Sequence, residues 1–138
     1  MPASKIFIDT NVVLYLLSAD TRKADRAEAI MAAGGCVSVQ VLNEVASVAR
    51  RKLAMPWPEV VELLSLIRSM CNVLPLTLET HETGLRVARQ YNLNIYDATI
   101  VAAALIEACG TLYSEDMQNG LVIDNRLSIR NPFAPGKS

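Results

Sequence analysis

Short apolar runs alternate along the chain with longer segments in which apolar residues recur every three or four positions. The short runs are typical of buried strands, and the longer segments are typical of helices with one buried face. The pattern predicts strands at residues 5–8, 36–39, 72–76 and 111–113 and helices at residues 21–33, 40–53, 58–69, 78–91 and 95–109. A further short helix, capped by Thr10 or Asn11, is expected to end near residue 17. We expect Gly110 to end the helix that precedes it.

Strands that alternate with helices predict an α/β fold whose mainly parallel sheet is covered on both faces. The 138 residues fit one domain spanning residues 1–138, and no internal repeat is present. Residues 121–123 and 127–129 flank Asp124-Asn125-Arg126 and predict a hairpin with a tight turn. In open parallel sheets the ligand site lies beyond the carboxyl ends of the strands. Asp9 and Asp116 directly follow such strand ends.

The composition narrows the classes of function. Hydrophobic residues make up 51% and charged residues 20%, which is typical of a globular domain. The net charge of −1 argues against a protein that binds nucleic acid through bulk positive charge. Three cysteines without a C-x-x-C pair and a single histidine support neither a disulfide framework nor a zinc site. With no signal-peptide pattern and no long apolar stretch, we expect a cytoplasmic protein without a membrane anchor.

Four acidic residues lie beside apolar sequence, where an unpartnered carboxylate is costly to bury. Asp9 follows the strand at residues 6–8, and a helix cap is its alternative role. Glu44 borders the apolar face of its helix, and its alternative is an ion pair with Arg50 or Arg51. Both residues therefore have a structural explanation beside a functional one.

The other two acids follow the same logic near the end of the chain. Asp97 shares a helical face with apolar residues 100, 101 and 104, although it also suits the start of a helix. Asp116 ends a strand, where turn formation is the alternative. Because side chains alternate in a strand, Ser114 and Asp116 are expected to point one way and Glu115 the other. We assign Asp124 to the hairpin turn.

Carboxylates that are brought together repel one another and are tolerated mainly when a cation binds between them. A set of carboxylates without histidine or cysteine selects a hard ion, so Mg²⁺ or Mn²⁺ is expected. Such an ion would polarise a phosphodiester, lower the pKa of a bound water and supply the positive charge that the composition lacks.

The basic residues on the predicted helices have two possible roles. Residues 50–52, together with Arg22, Lys23 and Arg26, line a route for a polynucleotide backbone or simply form solvated helix faces. His81 is expected on a helix surface, and Trp57, between two prolines, is expected to pack or to lie at an interface.

Four motifs in this order are similar to those of PIN-domain ribonucleases, and specifically of the VapC-type toxins of bacterial toxin-antitoxin pairs. The resemblance covers residues 6–133 and depends on DTN at 9–11, VLNEV at 41–45, YDA at 96–98 and LYSED at 112–116 followed by a hydrophobic hairpin. It implies a three-layer α/β/α sandwich and endonucleolytic cleavage of RNA.

The resemblance also implies roles for individual residues and partners. Mg²⁺ or Mn²⁺ would be held by the catalytic acids Asp9, Glu44, Asp97 and Asp116. Thr10, Asn11 and Ser114 would position water, metal or phosphate. The family pattern further implies a homodimer and a small antitoxin protein that blocks the site. At Asn119 the chain departs from many relatives, which have an additional acid or a histidine there, so occupancy by a second metal stays open.

Three alternative functions agree less well with the sequence. Haloacid-dehalogenase phosphatases need a second aspartate two residues after the first, where this chain has Asn11. No G-x-x-x-x-G-K-[ST] or G-x-G-x-x-G motif is present to bind a nucleotide. The remaining alternative is a non-catalytic PIN-like module that binds RNA or protein, which the presence of all four acids argues against.

Overall fold

The computed structural model describes residues 5–134, which form six strands and six helices. The strands are β1 (Ile6–Ile8), β2 (Gly35–Ser38), β3 (Cys71–Leu74), β4 (Thr111–Tyr113), β5 (Val122–Ile123) and β6 (Leu127–Arg130). The helices are α1 (Thr10–Leu14), α2 (Thr21–Ala32), α3 (Val39–Arg51), α4 (Trp57–Met70), α5 (Leu78–Tyr91) and α6 (Ile95–Ile106). A 3-10 turn at Tyr15–Leu17 follows α1.

The strands form a single sheet in the order β3-β2-β1-β4-β6-β5. All neighbouring pairs are parallel except β5 and β6, which are antiparallel. Helices cover both faces: α5 packs on α6, and α1 contacts α2 and α3, while α4 contacts α2 and α3. The predicted three-layer α/β/α fold with a mainly parallel sheet is therefore confirmed.

Strand β1 lies in the middle of the sheet, which explains its uninterrupted apolar sequence. Phe7 pairs with Cys36 of β2 on one side and with Leu112 of β4 on the other. Phe7 and Ile8 are completely buried, as expected for a parallel strand that is covered on both faces. The next residue along the chain, Asp9, therefore emerges at the carboxyl edge of the sheet, between β2 and β4.

The sequence predicts the order of the elements correctly, but several bounds differ. One difference of three residues is at α6, which ends at Ile106 and not at Cys109. Ala108 adopts a left-handed conformation with φ of 62°, so the helix ends before Gly110 is reached. At the start of α1 the capping residue is Asp9, whose side chain accepts a hydrogen bond from Thr10 N–H, and not Thr10 or Asn11.

The predicted hairpin turn joins β5 and β6. Asp124 and Asn125 both have positive φ, of 53° and 57°, as the central residues of a tight type I′ turn require. Asp124 has a second role that the sequence does not indicate, because its carboxylate also accepts hydrogen bonds from Arg86 and from the Tyr91 hydroxyl. The hairpin is thereby attached to α5.

None of the helices within residues 5–134 has the length and apolar character that crossing a bilayer requires.

Candidate active site

A cleft of about 340 Å³ lies beyond the carboxyl ends of β1 and β4. It contains all four of the acids that the sequence singles out, together with polar, apolar and basic neighbours. Its lining residues are Asp9, Thr10, Asn11, Leu14, Glu44, Ser47, Val48, Arg51, Lys52, Asp97 and Asp116.

Asp9 is the most enclosed of the four acids, with only 3% of its surface exposed. Its carboxylate accepts hydrogen bonds from Thr10 N–H at 2.7 Å, from the Ser114 hydroxyl at 2.8 Å and from the Asn11 amide at 3.2 Å. These three donors fix the orientation of the carboxylate. They do not neutralise its charge, because none of them is a cation.

Burial raises the pKa of Asp9 from 3.8 to about 6. The hydrogen bonds from Ser114 and Thr10 oppose this shift, and the negative charges of Asp97 and Glu44 add to it. A carboxylate that is buried beside other carboxylates, with no positively charged partner, is one whose ionised form a bound cation would stabilise.

Glu44 projects from α3 and is held from two sides. The Thr10 hydroxyl donates to one carboxylate oxygen at 2.6 Å, and the Gln40 amide donates to the other at 3.0 Å. Gln40 also donates to the Tyr96 carbonyl at 2.9 Å and so connects α3 to the start of α6.

The alternative ion pair between Glu44 and a neighbouring arginine is wrong. Arg50 donates to the carbonyl of Met55, and Arg51 donates to the Ser47 hydroxyl. Glu44 is therefore kept in the cleft by neutral donors, which leave its negative charge in place.

Asp97 lies in the first turn of α6, where Asn94 is the capping residue. Asn94 accepts a hydrogen bond from Asp97 N–H at 2.9 Å and donates one to the Asp97 carboxylate at 3.0 Å. Partial burial raises the pKa of Asp97, and the charges of Asp116 and Glu44 raise it further. The hydrogen bond from Asn94 acts in the opposite direction. Asp97 is thus both part of a helix start and a member of the cleft, as the sequence allows.

Asp116 lies in the loop after β4 and is exposed to solvent. Asn11 links this loop to the one that carries Asp9, because its side-chain oxygen accepts a hydrogen bond from Glu115 N–H at 3.0 Å while its amide donates to Asp9. The Glu115 carboxylate pairs with the Tyr15 hydroxyl and with the Lys23 ammonium, so it serves a different cluster.

The residues of the cleft suit a hard divalent cation in their chemistry, since all four acids offer oxygen ligands. Within residues 5–134, no three acids, thiols or imidazoles are gathered closely enough to hold an ion by themselves. Mg²⁺ usually keeps several of its waters and binds through one or two carboxylates, so such an ion does not need a preformed cage of three. The raised pKa values of Asp9 and Asp97 agree with this fit, because burial is their largest cause, neighbouring carboxylates add to it, and no cation offsets either.

Two supporting residues of this site were not singled out from the sequence. Gln40 holds Glu44, and its position four residues earlier on the same helix is the signal that would have found it. Asn94 holds Asp97 from the capping position three residues earlier, a spacing that is typical of helix starts.

Asn119 lies outside the cleft residues. Its side-chain oxygen accepts a hydrogen bond from Asn131 N–H at 2.9 Å, so it ties down the segment after β6. Asn119 therefore has a structural contact at the position where the resemblance implies a further acid or a histidine.

Comparison with known proteins identifies the family through a family model and the fold through solved structures. A family model described as PIN domain matches residues 6–118. A toxin-antitoxin complex from Klebsiella pneumoniae is 21% identical, with a TM-score of 0.68 over 94% of this chain and 98% of that one. VapC20 from Mycobacterium tuberculosis, described as a sarcin-ricin loop cleaving toxin, is 19% identical, with a TM-score of 0.66 over 81% of this chain and 90% of that one.

VapBC2 from Rickettsia felis, bound to a DNA fragment from its promoter, is 17% identical, with a TM-score of 0.64 over 90% of this chain and 97% of that one. At these identities the solved structures show a shared fold. Comparison with curated protein sequences gives no match. Because the family model spans most of the chain, the protein belongs to the PIN domain family.

Proposed function

We propose that the protein is a metal-dependent endoribonuclease that acts in the cytoplasm as the toxin of a toxin-antitoxin pair. The observation that carries the proposal is the placement of Asp9, Glu44, Asp97 and Asp116 around one cleft at the carboxyl edge of the sheet. Membership of the PIN family and the fold shared with toxin structures support it. Mg²⁺ or Mn²⁺ is the cation that an all-oxygen set of ligands favours.

The residues of the cleft divide into ligands and supports. The proposed metal ligands, bound directly or through water, are the four acids of the cleft, because all of them line it and offer only oxygen atoms: Asp9, Glu44, Asp97 and Asp116. When bound, the ion would polarise the phosphodiester and lower the pKa of the attacking water.

The supporting residues act by fixing the carboxylates before substrate binds. Ser114 and Asn11 hold one oxygen of Asp9, and Thr10 holds one oxygen of Glu44. Preorganised ligands need little rearrangement during the reaction, which is how outer residues of metal sites sustain activity. Each of these residues is therefore a positioning residue in the proposal.

The proposed partners come from the structures with the same fold. One of these is a toxin-antitoxin complex, and another is a VapBC pair on promoter DNA. By analogy we propose that this chain forms a homodimer and binds a small antitoxin protein that covers the cleft. RNA is its proposed substrate.

Cleavage of RNA by the purified protein tests the function. A structured RNA is incubated with Mn²⁺ or Mg²⁺, with a chelator, and with the Asp97→Asn variant, and Asp25→Asn serves as the matched control. Asp25 is an exposed aspartate on α2 that does not line the cleft. We expect wild type and Asp25→Asn to cut the RNA only with metal, and Asp97→Asn to be inactive although folded.

Two results would count against the proposal. Full activity of folded Asp97→Asn would remove Asp97 from the mechanism. A folded wild-type protein that binds neither divalent metal nor RNA, and cuts nothing in a broad RNA panel, would contradict the ribonuclease and favour a PIN-like protein that binds another protein.

A further inference from the structure

The basic residues near the cleft differ in what they contact. Within residues 5–134, the cations that form salt bridges are Lys5, Lys23 and Arg86. Arg51 and Lys52 line the acidic cleft, yet neither has a carboxylate oxygen within 4.0 Å among these residues. Their charges are thus available to another anion.

The position of Arg51 is fixed by a neighbour on the same helix. Its Nε donates a hydrogen bond to the Ser47 hydroxyl at 3.0 Å, and Ser47 itself lines the cleft. Glu44, Ser47 and Arg51 follow one face of α3, and Glu44 and Arg51 are about 10 Å apart along the helix axis. The face therefore changes from negative to positive charge at its C-terminal end.

This change of charge matches what a polyanionic substrate needs. Four carboxylates in the cleft repel phosphate, and a bound divalent ion offsets that repulsion only close to itself. Phosphates farther along the strand need other partners. Arg is the side chain best suited to phosphate oxygens, and contacts of this type place a nucleic acid without reading its sequence.

We propose that Arg51 and Lys52 bind the backbone phosphates of RNA on one side of the bond that is cleaved. The inference rests on the proposed ribonuclease function and deepens it, because it assigns a direction to the substrate. The strand leaves the acidic cleft along the C-terminal end of α3. Ser47 is the positioning residue that holds Arg51 for this contact.

Arg50 provides a control within the same helix turn. Its guanidinium lies 4.8 Å from the centre of the Trp57 ring and donates to the Met55 carbonyl, and Arg50 does not line the cleft. Arg50→Gln and Arg51→Gln remove the same charge from the same helix end. A larger loss of RNA binding in Arg51→Gln than in Arg50→Gln therefore indicates a contact in the cleft. Equal losses indicate an effect of bulk charge.

The experiment measures binding of a labelled single-stranded RNA over a range of potassium chloride concentrations. All proteins carry Asp97→Asn, so that the RNA stays intact. We expect Arg51→Gln to weaken binding roughly ten-fold, the effect of losing one charged hydrogen bond. Its plot of log affinity against log salt should be shallower by about 0.7, the value for one phosphate contact on a single strand. Lys52→Gln should lower the slope similarly, and Arg51→Lys should restore it.

Cleavage by the same variants with Asp97 intact separates binding from chemistry. We expect Arg51→Gln to raise KM with little change in kcat, because the contact is made equally before and during the reaction. Equal salt slopes for Arg51→Gln and Arg50→Gln, with the wild type active on RNA, would overturn this inference and leave the ribonuclease standing. A folded wild type that binds neither divalent metal nor RNA, and cuts nothing in a broad RNA panel, would overturn the function itself and with it the inference.

Discussion

Replacing Asp9 with asparagine tests whether the cleft stores unfavourable negative charge. Burial raises the pKa of Asp9 to about 6 from an ordinary value of 3.8. The folded protein therefore holds this proton more tightly than the unfolded chain does. Its free energy of unfolding falls as pH rises above about 4 and levels off above about 6, because the unfolded chain ionises Asp9 at lower pH.

The size of the effect follows from the two pKa values. A gap of about two units, at about 1.4 kcal/mol for each unit, is worth about 3 kcal/mol at pH 7 in the metal-free protein. Asparagine does not titrate, so the free energy of unfolding of the variant does not fall with rising pH for this reason. The variant does lose hydrogen bonds. Ser114 and Asn11 both donate to one oxygen of the Asp9 carboxylate, and an asparagine NH₂ group at that position cannot accept from them. That cost does not depend on pH.

Urea unfolding of chelator-treated wild type and Asp9→Asn, monitored by circular dichroism from pH 4 to pH 7, measures the difference directly. We expect the stability of the variant relative to wild type to increase by about 2 to 3 kcal/mol over this range. Other titrating groups are common to both proteins and cancel to first order. A difference that stays constant with pH, or that favours wild type as pH rises, would refute the assignment of a raised pKa to Asp9.

Two further substitutions probe the support of the site and the packing beneath it. Ser114→Ala removes the buried hydroxyl that donates to Asp9 and accepts from Met117 N–H. Urea unfolding should show that the free energy of unfolding falls by about 1–3 kcal/mol. Metal binding should shift to higher pH, because the lost hydrogen bond lowers the pKa of Asp9 in wild type. Gly84→Ala places a methyl group 3.0 Å from Thr99 Oγ1 and 3.3 Å from Thr99 Cα, where α5 meets α6. We expect this clash to outweigh the gain of about 1 kcal/mol that alanine brings to a helix interior, so calorimetry should show a lower Tm. A Tm that rises as helix propensity alone predicts would contradict the close approach.

The sequence predicts the fold well where periodicity and burial agree. The run at residues 6–8 could be recognised as a buried strand because it is apolar throughout and stops at Asp9. The end of α6 could not be placed, because its apolar pattern continues to Cys109 while the backbone turns at Ala108. Ala108 closes a Schellman motif, in which Ala108 N–H donates to the Leu105 carbonyl and Cys109 N–H donates to the Ala104 carbonyl. The sequence gives no signal for it, because glycine and not alanine is the usual residue in that left-handed position.

The candidate site shows a similar division. The four acids could be selected from their apolar surroundings, and the order of the strands brings them to one edge. The partners of Glu44 could not be inferred with the same success: charge suggested Arg50 or Arg51, whereas Thr10 and Gln40 hold it. Thr10 is 34 residues away in sequence, so its hydrogen bond depends on how α1 packs against α3.

Isothermal titration of Mn²⁺ into the metal-free protein at neutral pH tests the central claim, that these carboxylates hold a catalytic cation. We expect saturable binding by wild type and by Asp25→Asn, and strongly weakened binding by Asp9→Asn and Asp97→Asn. When the titration is repeated at pH 6, proton release should accompany binding to wild type, because about half of Asp9 is then protonated and the cation lowers its pKa. Equal Mn²⁺ affinity in all four proteins would contradict the account, because the ion would then be held elsewhere.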